Sequence, residues 1–232
     1  MNVLAIDTST NVLGVGLVSD NKVIGEYITN IKRNHSTRVL PAIEYLLNDC
    51  GIDKSQIEKV VVAKGPGSYT GLRIGVTIGK TLAWTLKIPL VGVSSLMTMA
   101  SSARYFNGYI SPIIDARRGF IYTGLYEFEN DSIQSVEQDR YISIEEWAYR
   151  LKDKTKPILF VGNDVSIHED SLKAILDNQA HYAPITIQIP RPGELALIGK
   201  DLEEEEIHTF VPNYARLAEA EAKWKENLKK SK

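Results

Sequence analysis

The chain opens on three short apolar runs, residues 3–6, 13–18 and 23–27, separated by polar clusters at 8–11 and 19–22. Runs and gaps of these lengths predict an antiparallel meander. From about Thr37 to Cys50 the period changes, and Val39, Leu40, Ile43, Leu46, Leu47 and Cys50 share an arc of about 120°, the stripe of an amphipathic helix. Ser36 is placed to cap that helix and Gly51 to end it, while Pro41 inside it predicts a local bend. The β-branched stretch 59–63 predicts a buried strand, the glycine-rich segment 65–71 leads into a second helix to about Lys87, and 89–93 supplies another strand.

The second half repeats this order. Residues 110–114 end in Asp115 as 3–6 end in Asp7, and 120–128 and 135–142 read as strands around the turn Asn130-Asp131-Ser132. Ser143 and Glu146 form a capping box that opens a helix to about Leu151. A strand at 157–161, ended by Gly162-Asn163-Asp164, and a helix at 166–176 follow. The economical reading is an α/β protein made of two copies of one β-β-β-α-β-α-β unit, resting on element order rather than on identity between the halves. It divides the chain into a first lobe at 1–104, a second at 105–210, and a C-terminal helical segment at 211–232 free to pack back on the first lobe. An acidic helix is expected at 192–206, with Glu203 to Glu206 as its solvated face. The last helix, 214–230, carries the stripe Leu217, Ala220, Trp224 and Leu228, and its late lysines complement the helix dipole.

Composition removes several classes. With 44% hydrophobic and 24% charged residues the chain is an ordinary globular one, and a net charge of −2 supplies no field to hold a polyanion. No apolar run is long enough to cross a membrane, and no basic stretch followed by an apolar one marks a secretory leader. The single cysteine, Cys50, excludes an internal disulfide and fits a reducing cytoplasm.

The helix at 70–87 is the most informative stretch. Leu72, Ile74, Val76, Ile78, Leu82, Ala83 and Leu86, with Gly71, Gly75 and Gly79, span an arc of roughly 200°, twice the stripe one sheet needs. Gly71, Gly75, Gly79 and Ala83 recur at four-residue spacing, and each helical glycine costs about 1 kcal/mol relative to alanine. Close approach of another helix offsets such a cost. Either an internal helix fills the notch or a partner subunit does, and the partner is the reading taken. Arg73, Thr77, Lys80 and Thr81 on the opposite side exclude lipid.

Chemistry is harder to find. The glycine loop misses the dinucleotide fingerprint by one residue, and the segment 75–81 misses the Walker spacing by one and lies mid-helix. Turn-making, with Ser68 or Thr70 as a cap, is the simpler role. Asp7 and Asp115 end the first strands of the two halves and could hold a magnesium ion on nucleotide phosphates across a cleft, or simply make turns. His35, His168, His181 and His208 show no metal-ligand spacing, and no nucleophile elbow is present.

Several runs are specific when taken together. They are Val3 to Thr10, His35-Ser36, Gly65-Pro66-Gly67-Ser68-Tyr69-Thr70-Gly71-Leu72-Arg73-Ile74-Gly75, Pro89 to Leu96, Asp115-Ala116-Arg117-Arg118-Gly119, and Pro212 to Glu221. Across nearly the whole chain they resemble the TsaB family, dimerisation subunits of the bacterial machinery that makes threonylcarbamoyladenosine next to the tRNA anticodon. The resemblance implies two ribonuclease-H-like lobes of the actin, sugar-kinase and heat-shock-chaperone (ASKHA) type. It also implies a noncatalytic subunit that binds and activates a TsaD-like catalytic homologue. A TsaE-like ATPase joins the larger complex, the chain alone forms a homodimer, and tRNA is met only through the complex. The TsaD His-x-x-x-His metal motif falls here on Ser95 and Met99, so the fold is kept and the chemistry lost. Partner contact is implied at the helices 36–50 and 70–87. The expected interface is His35, Val39, Ile43 and Leu46 on the first, with Gly71, Leu72, Gly75, Ile78, Gly79, Leu82 and Ala83 on the second. No catalytic residue, metal or cofactor is expected, Asp7 and Asp115 being a vestigial cleft, and a nucleotide at a subunit interface stays open. The alternative is an ATP-dependent kinase or ATPase that uses the inter-lobe cleft through Asp7 and Asp115.

Overall fold

The computed structural model describes residues 1–215, so the helix expected at 214–230 lies, beyond Ala215, outside the described residues. The first half runs β1 (Asn2–Asp7), β2 (Val12–Ser19), β3 (Lys22–Asn30), α1 (Val39–Asp49), β4 (Lys59–Gly65), α2 (Tyr69–Leu86), β5 (Leu90–Ser94) and α3 (Ser95–Ser101). The second runs β6 (Tyr109–Asp115), β7 (Phe120–Glu129), β8 (Ser132–Ser143), α4 (Ile144–Leu151), β9 (Ile158–Val161), α5 (Val165–Leu176), β10 (Ala180–Tyr182) and α6 (Pro192–Lys200). The sheets have orders β3-β2-β1-β4-β5 and β8-β7-β6-β9-β10. In each, the first three strands are antiparallel and the last two run parallel to the first, so the duplicated unit expected from element order is present in topology and register.

Local chemistry sets the joints. Ser68 accepts the Gly71 N–H and starts α2, Lys87 ends it in the left-handed region at φ 56°, and Ser143 accepts the Glu146 N–H at the start of α4. Asn130 and Asp131, at φ 49° and 62°, make the tight β7–β8 turn. Three expectations change. Pro41 produces no lost bond, because it is the third residue of α1, where the N–H has no helical partner anyway. Ser36 is not the cap, since Arg38 holds that position without a side-chain bond. The helix expected at 192–206 stops at Lys200, and residues 203–206 form neither helix nor strand, because adjacent glutamates repel and have no apolar stripe to bury.

Alternation along the strands buries both faces of the first sheet. Leu4, Ile6, Leu13, Val15, Val60, Val62 and Leu90 face α1 and α2, while Val3, Ala5, Val61, Ala63, Val91 and Val93 face α6. The second sheet is covered by α4 and α5 on one side and by α3 on the other. Each lobe therefore receives the third helix of the other. The chain returns to the first lobe at Pro192, ahead of the boundary drawn at residue 210, and the described tail stays there, with Glu205 N–H bonded to Leu90 O at 2.8 Å and Asn213 N–H to Lys64 O at 2.6 Å.

The glycine notch of α2 faces inward, not toward a partner. A Cβ at Gly71 or Gly75 would overlap the carbonyl oxygen or the Oγ1 of Thr8, and one at Gly79 would overlap Cγ1 of Val62. Thr8 Oγ1 donates to Gly71 O at 2.7 Å and draws the helix down on β1. The close approach that offsets the cost of helical glycine is thus to this chain's own sheet. Gly79→Leu is expected to destabilise the fold by about 3 kcal/mol in urea unfolding, the upper range for overpacking, whereas Trp84→Ala on the outer side changes stability by about 0.5 kcal/mol or less. Equal midpoints for the two variants would refute the inward seating.

Candidate functional site

With the glycines spent on the sheet, α2 turns a different set of residues outward. Thr70, Thr77 and Trp84 follow one another at seven-residue spacing, with Arg73 beside them and Ile74 and Ile78 half-buried on the flank toward α1. Across from them α1 presents Leu40, 53% exposed. Leu40, Tyr69, Ile74 and Ile78 line a largely apolar groove of about 520 Å³ between the helices, with Arg73, Thr77 and Ser36 at its polar margin. Trp84, 64% exposed, lines a second recess with Ile207 at the far end of α2. At the near end the Tyr69 ring lies 4.8 Å from Tyr214 and 5.3 Å from the Arg73 guanidinium. Apolar side chains left exposed and rimmed by polar groups mark a candidate contact surface.

Most of the interface residues expected from sequence are elsewhere. Val39, Ile43, Leu46, Leu72 and Ala83 are buried core residues, and Gly71, Gly75 and Gly79 sit under the helix against the sheet. His35 is also buried, its Nε2 2.8 Å from Thr10 O, where it pins the β1–β2 loop. Only Ile78 and Leu82 keep part of their surface open. Sequence periodicity finds the stripe a helix buries in its own fold, and the outer surface escaped it for that reason. The available signal was Trp84, a large apolar side chain out of phase with the stripe, whereas Leu40 belongs to the α1 stripe and is left exposed at its edge.

Asp7 and Asp115 do not form a shared ion site. The Asp7 side chain is 1% exposed, Oδ1 accepts the Ser9 N–H at 2.8 Å, Oδ2 has no hydrogen-bond partner, and burial pushes its pKa up. Asp115 Oδ1 bonds His168 Nε2 at 2.9 Å, and its backbone N–H donates to Asp164 Oδ2 at 2.9 Å. Burial pushes Asp164 up as well. The inter-lobe crevice by Asp164, lined by Thr10, Asn11, Ile114 and Asn163, holds about 30 Å³. That is room for roughly one water, against the roughly 300 Å³ or more of a nucleotide-sized pocket. Ser95 and Met99 are buried in the fold, Ser95 Oγ accepting the Gly65 N–H at 3.1 Å. Among the described residues no group of three His, Cys, Asp or Glu side chains is placed to hold a metal ion. These residues do not fit a magnesium–nucleotide site. No described helix is long and apolar enough to cross a membrane.

Residues 22–224 match the family model described as TsaD, tRNA N6-adenosine threonylcarbamoyltransferase. The tRNA threonylcarbamoyladenosine biosynthesis protein TsaB of Bacillus subtilis is 50% identical over 229 residues, covering 99% of this chain and 100% of that protein. Its namesake in Escherichia coli is 37% identical over 140 residues, 60% of each chain. Among solved structures, a Pseudomonas aeruginosa protein described as similar to peptidase YeaZ superposes with a TM-score of 0.78 at 24% identity, covering 93% of this chain and 99% of that one. The two-lobe ASKHA fold is shared with it.

Asp7 offers a test of how closed this region is. A carboxylate whose folded pKa is raised contributes most stability below its unfolded pKa of about 3.9 and loses that contribution as pH rises through the folded value. The stability of Asp7→Asn relative to wild type should therefore increase as pH rises above about 4 in urea titrations. A difference independent of pH would show that Asp7 is solvated.

Proposed function

The chain belongs to the TsaB family, and on that premise we propose that it serves tRNA threonylcarbamoyladenosine biosynthesis as a noncatalytic scaffold, docking and activating a TsaD-type threonylcarbamoyltransferase through the outer surface of α1 and α2. The observation that carries the reading is the apolar groove between these helices, with Leu40, Ile74 and Ile78 exposed or half-exposed along it and Trp84 exposed on α2 beyond it. Two neighbouring helices on each of two related chains can close into a four-helix contact, in which aromatic and branched side chains supply the central anchors. A homologue of the same fold carries the matching helices, which is why a TsaD-type chain suits this groove. In its absence the same surface pairs with a second copy about a two-fold axis.

The buried Asp7 and the narrow crevice support the noncatalytic part of the proposal, since neither admits a substrate. Net charge of −2 supports tRNA being engaged through the complex rather than by this chain alone. A TsaE-like ATPase would join that complex, and the chain needs no cofactor of its own.

Leu40→Glu with Trp84→Glu replaces two exposed side chains and should leave the circular-dichroism spectrum and melting temperature near wild type. Its association with a TsaD-type partner, read by light scattering and calorimetry, should weaken at least ~100-fold, as expected when charges are placed in the core of an interface. The control Tyr149→Glu, on α4 of the other lobe, should bind as wild type. Undiminished binding by the double variant would place the contact elsewhere.

A further inference from the structure

The exchange of third helices between lobes is held by two carboxylates that occupy equivalent places in the duplicated fold. In the second lobe, Asp139 stands on β8, the third strand of its unit. Its Oδ2 accepts the Ser94 hydroxyl at 2.5 Å, and its Oδ1 accepts the buried Tyr126 hydroxyl. Ser94 ends β5 in the first lobe and caps α3, its Oγ accepting the Leu96 and Met97 N–H groups at 3.1 Å each. By taking the hydroxyl proton, Asp139 turns the serine lone pairs onto those two amides. In the first lobe, Glu26 stands on β3, again the third strand. Its Oε1 accepts the Gly193 N–H at 2.8 Å in the first turn of α6, and its carboxylate is gripped by the Arg191 guanidinium. Arg191 is the cap residue of that helix.

The backbone is shaped for both contacts. The β2–β3 ladder shifts register between Leu17 and Val18, and the β7–β8 ladder shifts around Leu125. Such bulges re-aim the side chains of the strand that carries them. In each lobe a second-strand glycine clears the space: a Cβ on Gly16, the register partner of Glu26, would lie 2.7 Å from the Pro192 carbonyl carbon, and one on Gly124 would lie 2.8 Å from Asp139 Oδ1. Arg104, just after α3, also pairs with Glu194 of α6 at 3.0 Å and ties the exchanged helices to each other.

We propose that Glu26 and Asp139 are reciprocal latches that hold the lobes in one fixed relation, each carboxylate anchoring the start of the helix donated by the opposite lobe. The inference stands apart from the docking proposal, since it concerns the two lobes of one chain. Burial raises the cost of leaving either partner unmatched, and it pushes Asp139 upward, so the latch is stable only while its hydroxyl donors are in place. A latched pair of lobes keeps the crevice narrow and presents the first lobe as part of a rigid body.

The test uses the full chain with Cys50→Ser and spin labels at Asn48→Cys on α1 and Tyr149→Cys on α4, diluted with unlabelled protein to suppress intermolecular pairs. Wild type should give one narrow inter-lobe distance distribution. Asp139→Ala with Glu26→Ala should broaden it, and amide exchange at the start of α3 should rise at least tenfold in Asp139→Ala while β1 stays protected. Should the alanine pair fail to fold, Asp139→Asn with Glu26→Gln is read in the same way, with a smaller broadening expected. A folded double variant with an unchanged distribution would overturn the latch, because two purely local caps would fray their helices without releasing the lobes.

Discussion

The missing Cβ atoms along one side of α2 determine where this molecule is open and where it is closed. Gly71, Gly75 and Gly79 let the helix settle onto Thr8 and Val62, and the Thr8 hydroxyl bond to Gly71 O holds it there. Any larger residue would lift the helix from β1 and β4. Once it is seated, its remaining apolar residues have only two places to go. Leu72, Val76 and Ala83 complete the core, while Ile74 and Ile78 are left half-covered beside α1. The groove is therefore a consequence of a helix drawn close to its own sheet, with its surplus apolar arc displaced outward.

The same economy explains the quiet crevice between the lobes. In a two-lobe α/β architecture, ligands are expected beyond the carboxyl ends of the parallel strands. Here those ends are occupied by the chain itself. Asp7 is folded into its own loop by the Ser9 N–H, Ser68 N–H bonds Ser9 O at 2.7 Å, and Asp115 is held by His168. The exchanged helices α3 and α6 fill the space between the sheets with Leu96, Met99, Leu195 and Ala196. Stability has been built where a nucleotide would need room, and the apolar surface has moved to the back of the first lobe.

Much of the fold could be read from the chain because its signals are local. Alternating runs gave the strands, Ser68 and Ser143 marked helix starts, Gly51 and Asn130-Asp131 marked turns, and the Asp7–Asp115 correspondence exposed the duplication. Two short elements, α3 and β10, escaped because seven and three residues carry little periodicity. The exchange of α3 and α6 escaped for a different reason: a buried stripe says that a helix is covered, and not by which sheet. That ambiguity also governed α2. Its width of apolar arc predicted a second covering surface, and the groove supports that, but the notch of small residues belonged to the intramolecular side. Residues such as Gly75 and Val39 were selected by their periodicity, which reports burial in the native monomer. Leu40 and Trp84 had to be found by exposure.

On the proposed reading, a TsaD-type homologue covers the outer surface of α1 and α2. Hydroxyl-radical footprinting of the chain, alone at a concentration that keeps it monomeric and then saturated with a purified TsaD-type threonylcarbamoyltransferase, reads this at side-chain level. Leu40, Tyr69 and Trp84 should lose most of their reactivity in the complex while Tyr105 and Tyr149, both exposed in the free chain, keep theirs. Protection of Tyr149 or Tyr105 with Leu40 and Trp84 still fully reactive would contradict it.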